Sequence, residues 1–162
     1  MSEQNVELHR RAVEAFHARN VDAFIACLDP SVEYHSAITV PGGAVYQGHD
    51  GVRKYFADFK DAWGDEFRVE PEAYFDLGEQ TLMFYVVRGR GQKSGADVAM
   101  PGAQVCTWRE GLMVYGKAYV RREDALRDLG LSEDALEPIA PRRNPALGLL
   151  LLVTRRKSRA GA

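Results

Sequence analysis

Two polar residues on predicted strands are the first candidates for chemistry. His35 lies in residues 31–37, which alternate so that Glu33 and His35 share one face. Histidine changes its protonation near neutral pH, so His35 could carry protons to or from a substrate. Gln104 lies on a later predicted strand, and its amide can donate a hydrogen bond to an oxygen that gains charge. The alternative for both is structural, with each side chain bonded to a backbone group or a neighbouring strand.

The sequence lacks the motifs of metal, phosphate and covalent chemistry. Its four histidines and two cysteines are scattered, with no pair at the spacing of metal ligands. The glycine-rich stretch 89–95 lacks the lysine–hydroxyl pair and the following helix that a phosphate loop uses. There is no G-x-S-x-G nucleophile motif. We therefore expect neither a metal nor a nucleotide cofactor.

Composition narrows the range of partners and locations. The 162 residues carry a net charge of -2, which argues against an electrostatic nucleic-acid binder. Residues 1–5 are polar and show no signal peptide, and the longest apolar run, 146–153, is too short to span a membrane. Cys27 and Cys106 lie on apolar faces and are predicted to be buried free thiols, which is typical of a cytoplasmic protein.

Helical periodicity dominates the first half of the chain. Residues 3–18 form a predicted helix whose apolar stripe is Val6, His9, Val13 and Phe16. Asn20 is expected to cap a second helix over 20–28, and Asp50 a third over 50–63. The stripe of the third helix consists of Val52, Tyr55, Phe56, Phe59 and Trp63.

Alternation and glycine turns dominate the second half. Strands are predicted over 67–77, 81–90, 96–109 and 112–121, with tight turns at 78–79 and 110–111. Pro101 and Gly102 predict a bulge or bend inside the third of these strands. A short helix follows over 122–129. We expect one domain over 1–137, and a disordered, proline-broken tail with a basic end over 138–162.

The glycine-punctuated strands and the order of elements resemble a known superfamily. The segments FDLGE at 75–79, GRGQKSG at 89–95, TWREG at 107–111 and AYVRREDAL at 118–126 carry the resemblance, which covers about 6–136. They resemble the SnoaL-like branch of the nuclear-transport-factor-2-like superfamily, which includes ketosteroid isomerases and polyketide cyclases. The resemblance implies an α+β fold. In it a curved, mostly antiparallel sheet and three helices form a cone around a deep apolar pocket, with a short helix at the C-terminus.

The resemblance also implies roles for particular residues. His35 falls where ketosteroid isomerases hold the aspartate that acts as general base. Gln104 falls where they hold a protonated aspartate of the oxyanion hole. The tyrosine that completes that hole would fall near Ala12, which has no hydroxyl. Limonene epoxide hydrolases share the fold, but their aspartate–arginine–aspartate set has no match here.

The pocket wall is expected to be aromatic. Phe16, Tyr55, Cys106 and Trp108 are candidate substrate-binding residues, and simple core packing is the alternative for each. On the last strand, Gly116, Ala118 and Val120 are expected at the pocket floor. Tyr115, Lys117 and Tyr119 are expected on the outer face of the sheet, where we predict a homodimer contact.

Arg88 is a further candidate for substrate binding, and its face depends on strand register. With a two-residue turn at 78–79, Val69 pairs with Arg88, and the arginine reaches the pocket and an anionic substrate group. With a three-residue turn, Arg88 lies on the opposite face beside Glu70 and Glu72, in an outward salt bridge.

Two functional hypotheses follow. The first is a cofactor-independent isomerase, cyclase or dehydratase that acts on an apolar, oxygen-bearing small molecule, with His35 as base and Gln104 as donor. The second is a non-catalytic ligand-binding or dimerisation module of the same fold. Both predict a small apolar or aromatic ligand, and the deciding feature is whether His35 and Gln104 face one enclosed cavity.

Overall fold

Six strands form one curved sheet, and three helices cover one of its faces. The computed structural model describes residues 3–90 and 93–139. The strands are β1 (Leu28–Ser36), β2 (Ala44–Gln47), β3 (Arg68–Asp76), β4 (Gln80–Arg90), β5 (Asp97–Arg109) and β6 (Leu112–Tyr119). Their spatial order is β2-β1-β6-β5-β4-β3, and only the β1–β6 pair is parallel. The α+β prediction is confirmed.

The helices begin and end close to the predicted positions, except that the second helix ends at Ile25 and the predicted helix end at 28 is the first residue of β1. They are α1 (Glu3–His17), α2 (Val21–Ile25), α3 (Gly48–Trp63) and α4 (Arg122–Leu129), with a 3-10 turn over Glu133–Ala135. The Asn20 side chain accepts a hydrogen bond from the Ala23 amide at 3.0 Å, which confirms the predicted cap of α2. Asp50 does not cap α3, because that helix begins two residues earlier, after Gln47.

Apolar side chains form a separate cluster on each face of the sheet. The inner cluster lies between the sheet and α1–α3 and is rich in aromatic rings, among them Phe16, Phe24, Tyr55 and Phe59. The outer cluster joins Ala125 and Leu126 of α4 to the outer face of β3, β4 and β5. The predicted last helix therefore covers part of the sheet's outer face.

The register of the strands differs from the predictions at two prolines. Phe75 pairs with Leu82 and Ala73 with Phe84, as the two-residue turn predicts, but a bulge next to Pro71 then shifts the ladder. At Pro101 a bulge or bend was expected, and the β4–β5 ladder runs through this residue without a shift, so the bulge is wrong and the bend stays a prediction. β6 pairs with β5 only from Ala103 onward, so the missing amide of Pro101 falls where no second neighbour needs it.

The end of the described chain reaches back to the sheet. The Ile139 amide donates a hydrogen bond to the Tyr74 carbonyl at 2.7 Å, and its side chain packs against the inner cluster. Ile139, in the predicted tail, thus contacts the sheet, while residues 140–162 of that tail lie outside the described residues. Within the described ranges, no helix has the length and apolarity needed to cross a membrane.

Candidate functional site

A small cavity lies inside the cone, between the helices and the inner face of the sheet. Its volume is about 50 Å³, and a buried water needs about 10–15 Å³ on a comparable measure. Most of its wall is apolar: Ala12, Val13, Phe16, Phe24, Ile38, Phe59, Phe67, Val69, Met83, Val87 and Met113. Four polar residues complete the wall, namely Tyr34, Tyr55, Tyr85 and Gln104. The cavity therefore offers a few hydrogen-bonding groups in apolar surroundings, as small-molecule sites do.

Gln104 connects the cavity to a buried histidine. Its Nε2 atom donates to the Tyr34 hydroxyl at 2.6 Å, and its Oε1 atom lies 2.9 Å from Nε2 of His9. The other ring nitrogen of His9, Nδ1, lies 2.8 Å from Oγ1 of Thr81. The Trp108 indole donates to the same Thr81 oxygen at 2.8 Å. A continuous hydrogen-bonded chain thus runs from Trp108 to Tyr34, and we call these five residues the polar chain.

Burial fixes the charge state of His9. The residue has no solvent exposure, and loss of hydration lowers the pKa of its imidazole to about 4, against a smaller upward effect of the Gln104 hydrogen bond. His9 is therefore neutral at pH 7. The Cys106 thiol lies 3.6 Å from Nε2 of His9. Burial raises the pKa of this thiol, so Cys106 is uncharged too.

The three cavity tyrosines are hydrogen-bond donors at neutral pH. Burial raises the pKa of Tyr34 well above its usual value, with a further upward effect from the adjacent Tyr55 hydroxyl. Burial also raises the pKa of Tyr55 and of Tyr85. All three phenols therefore keep their protons at neutral pH and are hydrogen-bond donors.

Two glycines of the sheet make room for these phenols. A Cβ atom at Gly116 would lie 2.8 Å from the Tyr34 ring, and one at Gly102 would lie 2.7 Å from the Tyr85 ring. Distances this short are not tolerated between carbon atoms, so any side chain at either position would displace the ring. Gly116 lies on the inner face, as the sequence predicted.

The prediction that His35 faces the cavity is wrong. Along β1 the buried residues are Val32, Tyr34 and Ser36, so Glu33 and His35 lie on the opposite face. His35 Nε2 contacts Glu33 Oε1 at 2.6 Å, and its side chain is 28% exposed. The proposed base and Gln104 are thus separated by the sheet, and Tyr34 occupies the inner position instead.

Arg88 also lies outside the cavity, in the outward salt bridge that was the second of its two predicted positions. Its Nε atom contacts Glu70 Oε2 at 2.8 Å, and its side chain is 56% exposed. The turn at 78–79 has the two-residue register that favoured the inward alternative. Along β4, however, Arg88 shares the face of Phe84, which belongs to the outer cluster, while Val87 lines the cavity. The bulge next to Pro71 lies on β3 and moves Val69, rather than Arg88, to the inner face.

The other predicted wall residues divide into two groups. Phe16, Tyr55 and Gln104 line the cavity. Cys106 and Trp108 are buried behind it, where they contact His9 and Thr81 respectively. His9, Thr81 and Tyr34 were missed as site residues. For His9 a signal was present, since it is the one polar residue in the apolar stripe of α1.

A wider groove opens beside the cavity, between the segment after β1, α3 and the start of β5. Its volume is about 790 Å³, and Ile38 lines both the groove and the cavity. Three of the four large apolar side chains exposed in the described part of the chain line this groove: Val40, Met100 and Val120. The Trp63 indole donates to the Ile38 carbonyl at 2.9 Å. Ile38 therefore stands between the cavity and the most accessible apolar surface near it.

Comparison with known proteins places the chain in a family. The sequence profile of the SnoaL-like domain family matches residues 9–116, two thirds of the chain. The chain belongs to the SnoaL-like domain family. No curated protein matches the sequence.

Within residues 3–90 and 93–139, no cluster of histidine, cysteine, aspartate and glutamate could hold a metal ion.

Solved structures share the fold at low sequence identity. An NTF2-like protein of unknown function from Burkholderia pseudomallei has a TM-score of 0.67 and 24% identity, over 78% of this chain and 97% of its own. TerC, crystallised with polyporic acid, has a TM-score of 0.65 and 18% identity over 78% and 97%. A hypothetical protein with a ketosteroid isomerase-like fold from Catenulispora acidiphila, in complex with trimethylamine, has values of 0.63 and 17% over 83% and 98%. These similarities establish the NTF2-like fold.

Proposed function

We propose that this protein binds an apolar small molecule through one oxygen atom, which enters the interior cavity and meets its tyrosine hydroxyls. The observation that carries the proposal is the convergence of Tyr34, Tyr55, Tyr85 and Gln104 on a space whose other walls are apolar. Two proteins of the same fold were crystallised with small molecules, polyporic acid and trimethylamine, which supports a small-molecule ligand.

The size of the cavity bears on how such a ligand would be accommodated. About 50 Å³ suits the oxygen-bearing end of a molecule, whereas drug-sized ligands occupy pockets of about 300–1,000 Å³. The adjoining groove, at about 790 Å³, supplies the missing space. We propose that the body of a larger ligand lies along Val40, Met100 and Val120 and that its polar end passes Ile38.

A matched pair of probes tests this function. Cyclopentanone and methylenecyclopentane have nearly the same shape, but only the first carries an acceptor oxygen. A ligand that binds only the folded state raises the unfolding free energy in proportion to RT ln(1 + [L]/Kd). We expect the ketone to stabilise the protein with a Kd about tenfold lower than that of the hydrocarbon, the value of one net hydrogen bond. Equal stabilisation by both probes would contradict a polar role for the cavity.

Catalysis is a second candidate, favoured by the same tyrosines. Protonated phenols in a largely apolar cavity would stabilise a developing oxyanion during isomerisation, cyclisation or dehydration of a carbonyl compound. Among the described residues that line the cavity, however, none is a carboxylate or an imidazole. The reaction would therefore need its base from the substrate or from water. Exchange of the α-protons of cyclopentanone in D₂O, followed by NMR, tests this candidate, and a rate equal to that of buffer would reject it for this substrate.

We also propose a homodimer through the outer face of β1, β2 and β6. Val45 is exposed and pairs with His35, whose ring lies 5.2 Å from that of Tyr115. The outer tyrosine nearest α4, Tyr119, instead donates a hydrogen bond to Asp128 at 2.8 Å. The proposed contact is therefore centred on Val45 and Tyr115, away from α4.

A further inference from the structure

We propose that the cavity selects molecules that accept a hydrogen bond over molecules that donate one, and that His9 is the positioning residue that sets this preference through Gln104. This inference rests on the proposed function and names the chemical class of its ligand, a ketone, quinone or ether oxygen on an apolar body. The preference follows from the direction in which the polar chain donates its protons.

The direction is set at the end of the chain farthest from the cavity. The Trp108 indole can only donate, and it donates to Oγ1 of Thr81. Thr81 is fully buried, and its hydroxyl proton has one acceptor in reach among the described residues, Nδ1 of His9 at 2.8 Å. A buried donor without an acceptor loses its hydration with no hydrogen bond in exchange, which is unfavourable. Thr81 therefore donates to His9, and Nδ1 carries no proton.

This arrangement determines the tautomer of His9 and the orientation of Gln104. A neutral imidazole without a proton on Nδ1 has its proton on Nε2. That proton points at Gln104, so the amide must present its oxygen there, at 2.9 Å. Its NH₂ group then faces the Tyr34 oxygen, at 2.6 Å. The opposite amide orientation would bring two donors, the His9 N–H and the Gln104 NH₂, against each other.

The consequence reaches the cavity through the two tyrosines. The Tyr34 oxygen accepts from Gln104, so its own proton is available to the neighbouring Tyr55 hydroxyl. The Tyr55 hydroxyl accepts from Tyr34 and keeps its own proton for a further acceptor, and Tyr55 lines the cavity. An acceptor oxygen in the cavity completes the chain. The hydroxyl proton of an alcohol would meet a wall already rich in donors.

The tautomer of His9 gives a test that needs no ligand. In the full-length protein at pH 7, ¹⁵N NMR of the imidazole rings distinguishes a proton on Nε2 from one on Nδ1. The His9 signals are those that disappear in His9→Gln. We expect a neutral ring with its proton on Nε2. A proton on Nδ1, or a charged ring, would overturn the inference whatever the protein binds.

The selectivity of the cavity gives the second test. Cyclopentanone and cyclopentanol are titrated by calorimetry into the wild type, His9→Gln and His9→Phe. We expect the wild type to prefer the ketone at least fivefold. His9→Gln should keep this preference, because glutamine also supplies one acceptor and one donor, whereas His9→Phe should reduce it toward one.

The outcomes separate this inference from the proposed function. An unchanged preference in His9→Phe would overturn the role of His9 while leaving ligand binding intact. Binding of neither probe would reject the proposed function and the inference with it, even with the expected tautomer. If His9→Phe does not fold, the tautomer and the wild-type preference still decide, and a preference for the alcohol overturns the inference.

Discussion

The ring of Tyr34 occupies the space that a side chain at Gly116 would need, since a Cβ atom there would lie 2.8 Å from the ring. Gly116 lies on β6, next to β1, and the two residues are paired in the sheet. The position of a cavity hydroxyl thus depends on a missing side chain on the neighbouring strand. Gly102 and Tyr85 repeat the relationship on β5 and β4.

Substitution of these glycines should separate the roles of the two phenols. Gly116→Ala is expected to cost about 1–3 kcal/mol of unfolding free energy through overpacking and to displace Tyr34 from Gln104. Gly102→Ala should cost a similar amount but leave the Tyr34–Gln104 bond in place. Chemical denaturation and cyclopentanone titration measure both effects. We expect a larger loss of affinity in Gly116→Ala, and equal losses would argue against a special role for Tyr34.

Trp108 should stabilise the fold both by the packing of its ring and by the hydrogen bond from its indole to Thr81. Its ring is buried, so Trp108→Ala is expected to cost about 3–5 kcal/mol. Trp108→Phe keeps most of the packing but removes the indole donor to Thr81, which should cost about 1 kcal/mol. Trp63→Ala, at a half-buried ring, is a control with a smaller expected loss. Urea unfolding of the three variants tests this order, and a Trp108→Ala cost below that of Trp63→Ala would contradict it.

The alternating sequence pattern that predicted the strands also indicated which residues of β1 face the cavity. Helical and alternating patterns predicted the three inner helices, the four later strands and α4, because burial on one face imposes those periods on the sequence. The same alternation on β1 places Tyr34 and His35 on opposite faces of the sheet. Its apolar face, with Val32 and Tyr34, is the one that faces the cavity, whereas the resemblance to ketosteroid isomerases favoured the face of His35.

Other features required the three-dimensional structure. The face of Arg88 depends on which side of β4 the inner helices cover, and the sequence does not show this because both faces of that strand are apolar. The polar chain joins residues from α1, β1, β4 and β5. Two of its bonded residues, His9 and Gln104, are 95 positions apart in the sequence. A single sequence contains no signal that pairs such distant residues, although a histidine in a buried helical stripe marks where one partner lies.

Acid should destabilise the wild type through His9. The pKa of this imidazole is lowered to about 4 in the fold, against about 6.5 in an unfolded chain. Between these values the unfolded state binds more protons, so stability falls as the pH decreases from about 6.5 to about 4, by about 3 kcal/mol in total. Unfolding free energies at pH 7 and pH 4.5 should therefore differ less in His9→Gln than in the wild type. An equal difference in both would show that His9 is not held neutral.

The dimer can be tested at Val45. Its side chain is 53% exposed on the outer face of β2, so Val45→Glu would place a charge in the proposed interface at a high desolvation cost. Met100→Glu, in the groove, is a control expected to leave the dimer intact. Size-exclusion chromatography with light scattering should give twice the chain mass for the wild type and the control, and about 18.1 kDa for Val45→Glu. A wild-type mass near 18.1 kDa would reject the dimer.

The chain's two tryptophans allow a direct measurement of ligand access to the cavity. The Trp63 indole lies at the groove and the Trp108 indole at the inner end of the polar chain, so their two ¹H–¹⁵N signals report on the two places separately. Titration of cyclopentanone should shift both signals saturably with one Kd in the wild type. In Ile38→Trp, which adds a third indole signal and fills the passage, Trp108 should no longer respond. A wild-type titration that shifts Trp63 alone, or neither signal, would contradict the claim that the cavity receives the ligand oxygen.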